Sequence, residues 1–396
     1  MKRELTPTQL PLEVAEYQRR VQRTRDAMIR QDIDVLLVTD PGNMNYLTGY
    51  DGWSFYVHQG VLVFLDLEPI WFGRTQDSNG ARLTTWLPEE NISGYEDHYV
   101  QSKQLHPMEY VADILTRKGY AGCRLGVETD NYYFTGRCLQ TLERALPDAD
   151  IVDGDDLVRW VRSVKSEQEI AYLCMAARIT ELVMQTAVDN IAPGVREGDV
   201  AGEVYKAQIC GTEDFTGDYP AIAPIMPSGI RTAAAHLSWT DRRYQVGDVV
   251  LLELAGAKHH YNMPLSRTVM VGSPPAELKE IARVVIEGLN KTLDFIRPGV
   301  TAEAVEAAWR AAIAGSSVVK ESRVGYSFGV NYPPDWGEHT ISLRPGDKTV
   351  LVPDMTLHFM PGIWLDRFGF ECSEPIRITA NGCEPFVDFP RQLFCQ

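Results

Sequence analysis

Apolar and polar positions repeat along this chain with two periods, and the switches between them outline two stretches of different design. In the first, residues 13–31 (EVAEYQRRVQRTRDAMIRQ) carry apolar side chains at helical spacing. DVLLVTD at 34–40 follows as a short, nearly continuous apolar run, the mark of a buried strand. GVLVFLD (60–66) and EPIWFG (68–73) predict two more strands, and MEYVADILTRKG (108–119) predicts a helix stopped by Gly119. RLGVETD (124–130), the helix CLQTLERAL (138–146) and ADIVDGDDLVRWVRSV (149–164) continue the alternation. Strands and helices taken in turn predict an α/β domain whose mixed or parallel sheet is covered by helices.

The second pattern opens at RSVKSEQEI, where Ser166 followed by Glu169 has the spacing of a capping box. It leads into a long helix over 169–191, and further helices are predicted at 197–210, 276–296 and 301–315. Strand-like runs lie at 248–257, 266–272, 355–364 and 370–379. Helices on one side of an antiparallel sheet make an α+β layer. The domains are therefore expected at 1–160 and 161–396. No G-x-G-x-x-G or P-loop stretch occurs, so nothing supports nucleotide binding.

Composition narrows the class without naming a substrate. Of 396 residues 44% are hydrophobic and 10% aromatic, enough for packed cores. Lys and Arg total 38 against 54 Asp and Glu, a formal charge of -16 that repels nucleic acid and anionic membranes. Seven scattered cysteines with no C-x-x-C point to reduced thiols. The start, MKRELTPTQL, is basic but lacks an apolar signal core, and no run approaches the roughly 18 apolar residues of a membrane span. A soluble, cytoplasmic protein is expected.

In order along the chain come RSVKSEQEI, AAAHLSWTDRRYQVGDVVLLELAGA, SRTVMVG, GYSFG, LVPDMTLHFMPG and GFECSEPIRIT. This succession resembles the creatinase/aminopeptidase, or pita-bread, family over essentially the whole chain. The resemblance implies a creatinase-like α/β N-terminal domain and an α+β catalytic domain with helices covering a curved, mainly antiparallel sheet. Metal-dependent members carry two acidic ligands eleven residues apart on a hairpin, then a histidine and two glutamates. Those positions map here to Glu253, Pro264, Tyr326, Met360 and Ser373. Two close divalent ions need several hard oxygens, and Pro and Met supply none. No metal and no cofactor are expected.

Within the family, Glu253, Pro264-Leu265-Ser266-Arg267-Thr268 and HFMPGIW look most like the ectoine hydrolases. These open the cyclic amidine of ectoine to an N-acetyl-2,4-diaminobutyrate without metal, as creatinase acts on a guanidino acid. The alternatives are a creatinase-like amidinohydrolase acting on another small amidino acid, or a metal-dependent Xaa-Pro peptidase. The resemblance also implies a homodimer with its active site near the subunit interface, and the negative charge leaves neither nucleic acid nor membrane as an expected partner.

Glu253 sits in the apolar strand VVLLELAG, where an unpaired carboxylate is costly. Either Arg267 neutralises it across the hairpin, or a bound amidinium does, with Glu253 acting as nucleophile or as general base. His236, in RTAAAHLSW, matches a histidine that family members place over the substrate, and an imidazole suits passing a proton to the leaving nitrogen. His259 and His260 are expected at a hairpin tip. Tyr326, Glu338, His339 and Glu371 are candidate substrate contacts, Glu371 being chosen over Glu374 because alternate residues of a strand share a face. GYDGWSFYVHQG at 49–60 resembles the loop that reaches the partner's site in creatinase-like dimers. Trp53, Phe55 and Tyr56 could wall a flat cation there, with His58 meeting its carboxylate.

Overall fold

The structure, a computed structural model, describes residues 10–154 and 156–396; the basic Met1-Lys2-Arg3 start lies outside the described residues. The chain divides into two compact units, Met1–Arg162 and Ser163–Gln396. Among the described residues no helix is long and apolar enough to cross a membrane. All seven cysteines are without disulfide partners.

In the first unit the expected alternation becomes α1 (Val14–Arg30), β1 (Val35–Val38), α2 (Pro41–Thr48), β2 (Gly60–Phe64), β3 (Ile70–Arg74), α3 (Ser78–Thr84) and β4 (Ile92–Tyr95). It continues with α4 (Pro107–Lys118), β5 (Arg124–Val127), α5 (Gly136–Ala145), β6 (Asp150–Asp153) and α6 (Asp156–Arg162). The six strands form one mixed sheet in the order β4-β3-β2-β1-β5-β6. Apolar residues of α4 and α5, among them Met108, Val111, Leu115 and Leu142, pack with Val35, Leu37, Leu62 and Phe64 of the central strands. Gly119 ends α4 at φ 87°, a left-handed conformation that costs glycine little. β4 is the strand that periodicity missed: it is an edge strand, and Ser93-Gly94 interrupts its apolar positions.

The second unit opens with α7 (Glu167–Asn190), capped as expected, since Ser166 accepts the Glu169 amide while the Glu169 carboxylate accepts that of Ser166. Then come α8 (Glu197–Cys210), the hairpin β7 (Val249–Lys258) and β8 (Tyr261–Met270), α9 (Ala276–Phe295) and α10 (Ala302–Ala312). The remaining strands are β9 (Gly325–Phe328), β10 (Gly337–Ser342), β11 (Thr356–Phe359), β12 (Ile363–Trp364), β13 (Gly369–Phe370), β14 (Glu374–Ile378), β15 (Cys383–Pro385) and β16 (Leu393–Cys395). An antiparallel sheet runs β10-β9-β11-β14-β15, beside the hairpin sheet β16-β8-β7. α9 and α10 cover the first of these through Leu278, Leu289 and Trp309, which share a core with Leu357, Phe359 and Ile376.

α7 lies so close on β7 that a Cβ at Gly256 would stand 2.7 Å from Ile179. Thr180 fastens the contact, accepting the Gly256 amide at 2.8 Å and donating to the Met263 carbonyl. Pro264 is tolerated inside β8 because β16 pairs β8 only over Thr268–Met270, leaving the proline on an edge stretch. Two runs expected to be continuous strands are broken. 355–364 splits into β11 and β12, and 370–379 into β13 and β14 with Glu371-Cys372-Ser373 between them.

Candidate active site

The hairpin register pairs Glu253 with Ser266, Ala255 with Pro264 and Leu252 with Arg267. Alternation puts Glu253 on the face of Pro264 and Ser266, and Arg267 on the opposite face. The expected Glu253–Arg267 pair is therefore not formed. Arg267 instead bonds Glu374 at 2.8 Å and the carbonyls of Ser373, Phe389 and Pro390 at 2.6, 2.7 and 2.8 Å. Glu253 is 6% exposed, and among the described residues no group donates a hydrogen bond to its carboxylate. Burial, and then the charges of Glu371 and Asp335, push its pKa well above the ordinary carboxylate range.

Glu371 enters from the break between β13 and β14. Burial raises it to about 7 against the opposing pull of Lys320. Its Oε1 has no partner, and a Cβ at Gly362 would lie 2.8 Å from that atom. Lys320 Nζ donates to the Gly362 carbonyl at 2.7 Å and lies 5.0 Å from the Trp364 ring centroid. Burial lowers Lys320 to about 8, while Glu371 works the other way. Ser266 Oγ and Trp364 Nε1 are also buried without partners. An unpartnered buried polar atom costs about 1–3 kcal/mol. Ser266 Oγ and Trp364 Nε1, together with the open Oε1 of Glu371 itself, leave hydrogen-bonding capacity unmet around the two carboxylates.

A hydrogen-bonded row stands beside these groups. Trp336 Nε1 donates to the Tyr326 hydroxyl at 2.8 Å, which meets His358 Nδ1 at 3.1 Å. His358 Nε2 lies 2.7 Å from Ser373 Oγ, and that oxygen accepts the Ser266 amide at 2.7 Å. Burial, aided by Arg323 and Arg267, drives His358 down to about 3, so its ring is neutral and orients its two neighbours. Burial and then Glu253 raise Tyr326, which stays a phenol. Trp336 and Tyr326 pack with Ala255, two residues along the Glu253 face. Burial alone would raise Asp335, but His339 Nε2 at 2.6 Å and the Gly337 amide hold it below its usual value. Arg323 lies 4.5 Å from the Tyr326 ring centroid with one long bond, 3.5 Å, to Ser342.

The five family metal positions do not fit a metal pair. Glu253 is the single carboxylate among Pro264, Tyr326, Met360 and Ser373, and Ser373 Oγ is already taken by His358 and Ser266. Among the described residues, no three His, Cys, Asp or Glu side chains of the second unit bring ligand atoms within 4.8 Å of one another.

Of the residues singled out from the sequence, Glu253, Tyr326 and Glu371 come together here. Glu338 is taken up elsewhere: it is 0% exposed, and both its oxygens contact Lys165 Nζ, at 2.8 and 2.9 Å. His339 faces Asp335. His236 lies on an exposed turn four residues past Thr232, whose hydroxyl accepts the Gly369 amide. His259 and His260 form the hairpin tip at φ 48° and 61°, as expected. In the first unit Trp53 and Tyr56 are exposed and Phe55 packs 4.4 Å from Trp53, while His58 turns toward His106 and Cys138. Sequence reasoning missed His358, Asp335, Lys320, Arg323 and Trp364. His358, a histidine on the inward face of an apolar strand, carried a usable signal; the charged pair in KESR carried none.

The sequence model described as metallopeptidase family M24 matches residues 172–380, and that of the creatinase/prolidase N-terminal domain matches 20–164. The chain is 44% identical to ectoine hydrolase of Halomonas elongata over 97% of this chain and 98% of that one. It is 32% identical to a Xaa-Pro dipeptidase of Pyrococcus horikoshii over 94% and 98%. The crystal structure of dipeptidase PepE from Mycobacterium ulcerans superposes with a TM-score of 0.81 at 22% identity, over 97% of this chain and 99% of that one, and so shares the fold.

Proposed function

The chain belongs to metallopeptidase family M24, hydrolases of C–N bonds, and we propose that it opens the ring of ectoine without metal to give an N-acetyl-2,4-diaminobutyrate. The observation that carries this reading is Glu253, a buried carboxylate beside a second one, Glu371, with no protein cation against it among the described residues. An amidinium brings that cation, and its electrophilic carbon then lies beside the carboxylate. The 44% identity to an ectoine hydrolase supports the choice of amidine.

Glu253 attacks the amidinium carbon or takes a proton from the water that does. In either case a C–O bond forms, one ring C–N bond breaks, and the freed nitrogen leaves as an amine after gaining a proton. Where Glu253 is the nucleophile, a water then attacks the same carbon, breaks its bond to Glu253 and frees the carboxylate and the acetamide product. His236, on its solvent-exposed turn, is the proposed proton carrier between that nitrogen and bulk water. Trp53, Phe55 and Tyr56 are the proposed aromatic wall, and the active species is proposed to be a homodimer.

The test is to incubate purified protein with ectoine, with and without chelator, and to follow products by mass. A product heavier by one water should form at equal rates in both. No ring opening, or opening only with added metal, would overturn the reading.

A zwitterionic substrate also needs an anchor for its carboxylate. Arg323 has a guanidinium fork with, among the described residues, one weak hydrogen-bond partner, beside Tyr326. Arg323→Gln should raise KM for ectoine about 10- to 100-fold, the worth of a charged hydrogen bond. Turnover of the same ring lacking its carboxylate should not change. An equal loss on both rings would place the anchor elsewhere.

A further inference from the structure

We propose that His58, His106 and Cys138 of the first unit form a binding site for a zinc-class transition-metal ion. Each comes from a different element: His58 from the loop before β2, His106 from the N-cap of α4, and Cys138 from the first turn of α5. They are 48 and 32 residues apart along the chain, yet one ligand atom from each falls within 4.8 Å of the others. Cys138 Sγ and His58 Nδ1 are 3.7 Å apart. Tetrahedral zinc, with bonds of about 2.0 Å to nitrogen and 2.3 Å to sulfur, holds such a pair about 3.5 Å apart.

Burial lowers the two imidazoles and raises the Cys138 thiol, so an incoming ion must displace a proton from the sulfur alone. Burial, and then Arg137, lower His58; burial, His58 and Arg137 lower His106 to about 4. Both rings are thus neutral at physiological pH, the form that ligates. A cavity of about 150 Å³ borders His58 and His106 and gives room for a water as fourth ligand. Two imidazoles and one thiolate favour zinc or cobalt over calcium or magnesium.

Binding exchanges the thiol proton of Cys138 for the metal and releases that proton to solvent, which leaves a net charge of +1 from a dication. Arg137 lines the same cavity and opposes even that charge, so affinity is set against one fixed cation. His106 Nδ1 now accepts the Met108 amide at 3.2 Å, a long bond that gives way if the ring turns to present its lone pair. The bound ion would tie the loop ahead of β2 to α4 and α5. It takes no part in hydrolysis.

Chelator-treated full-length protein is titrated with Co²⁺. One ion per chain should bind, with a thiolate-to-cobalt charge-transfer band in the near ultraviolet. Cys138→Ser should abolish the band, and His58→Asn should weaken binding at least 10-fold. Glu253→Gln should leave both unchanged, which separates this site from the hairpin. Zn²⁺ should raise the melting temperature of the native chain and not that of the Cys138→Ser variant. His58→Asn lies in a half-buried loop and keeps the test valid should the cysteine variant fail to fold. No band with the native chain, or a band that survives Cys138→Ser, would overturn the proposal.

Discussion

Glu253→Gln should lower kcat for ring opening at least about 10³-fold while the protein stays folded and melts at a higher temperature. The two effects have one cause. Glu253 is buried, near Glu371 and Asp335, with no hydrogen-bond donor on its carboxylate among the described residues. The fold tolerates it at a cost, and the amide removes both the charge and the repulsion. The pH dependence follows from the raised pKa. The folded chain holds this proton to higher pH than the unfolded chain, so the site loses stability as pH rises above the unfolded value of about 4.3. The melting-temperature gap between variant and native chain should therefore widen from pH 5 to pH 8. Glu371, raised to about 7, destabilises both chains over the same range and so cancels from the gap. Near-native turnover by the variant, or a gap that narrows with pH, would sink the assignment.

The opposite behaviour is expected on the other face of the same hairpin. Arg267→Ala should destabilise the chain by about 3 kcal/mol, toward the low end of what removing one partner of a buried ion pair costs. Arg267 is fully buried and its partner Glu374 nearly so, and the guanidinium also holds three carbonyls from distant parts of the chain. Arg391, 2.9 Å from Glu374, softens the loss by remaining as a second cation. Denaturant unfolding gives the number. A change below 1 kcal/mol would mean that the Arg267 network adds little to stability. Among the described residues Glu374 of β14 has its cation at the Arg267 face of the hairpin, while Glu253, the proposed reactive group, has none on the other face.

The long elements were legible because their signals are local. The Ser166–Glu169 box, the apolar run of β7 and Gly119 after α4 each depend on residues within a turn or a few positions. β4 and the breaks in the last strands were not legible, because edge position and strand ends depend on what lies alongside. The choice of Glu371 over Glu374 rested on a continuous strand that the structure breaks. Even so, Glu371 lies toward Glu253 while Glu374 turns to Arg267.

The sequence by itself determined the two-part architecture, the hairpin with Glu253, and the loss of hard-oxygen donors at Pro264 and Met360, since residue identity and spacing suffice for these. Tertiary structure alone decided which charges meet. It gave Arg267 to Glu374 and Lys165 to Glu338, set Lys320 near Glu371, and drew His358 between Tyr326 and Ser373. The physical reason is that pairing energy depends on separation and burial. Partners such as Lys165 and Glu338, 173 residues apart, acquire both only when the chain has folded.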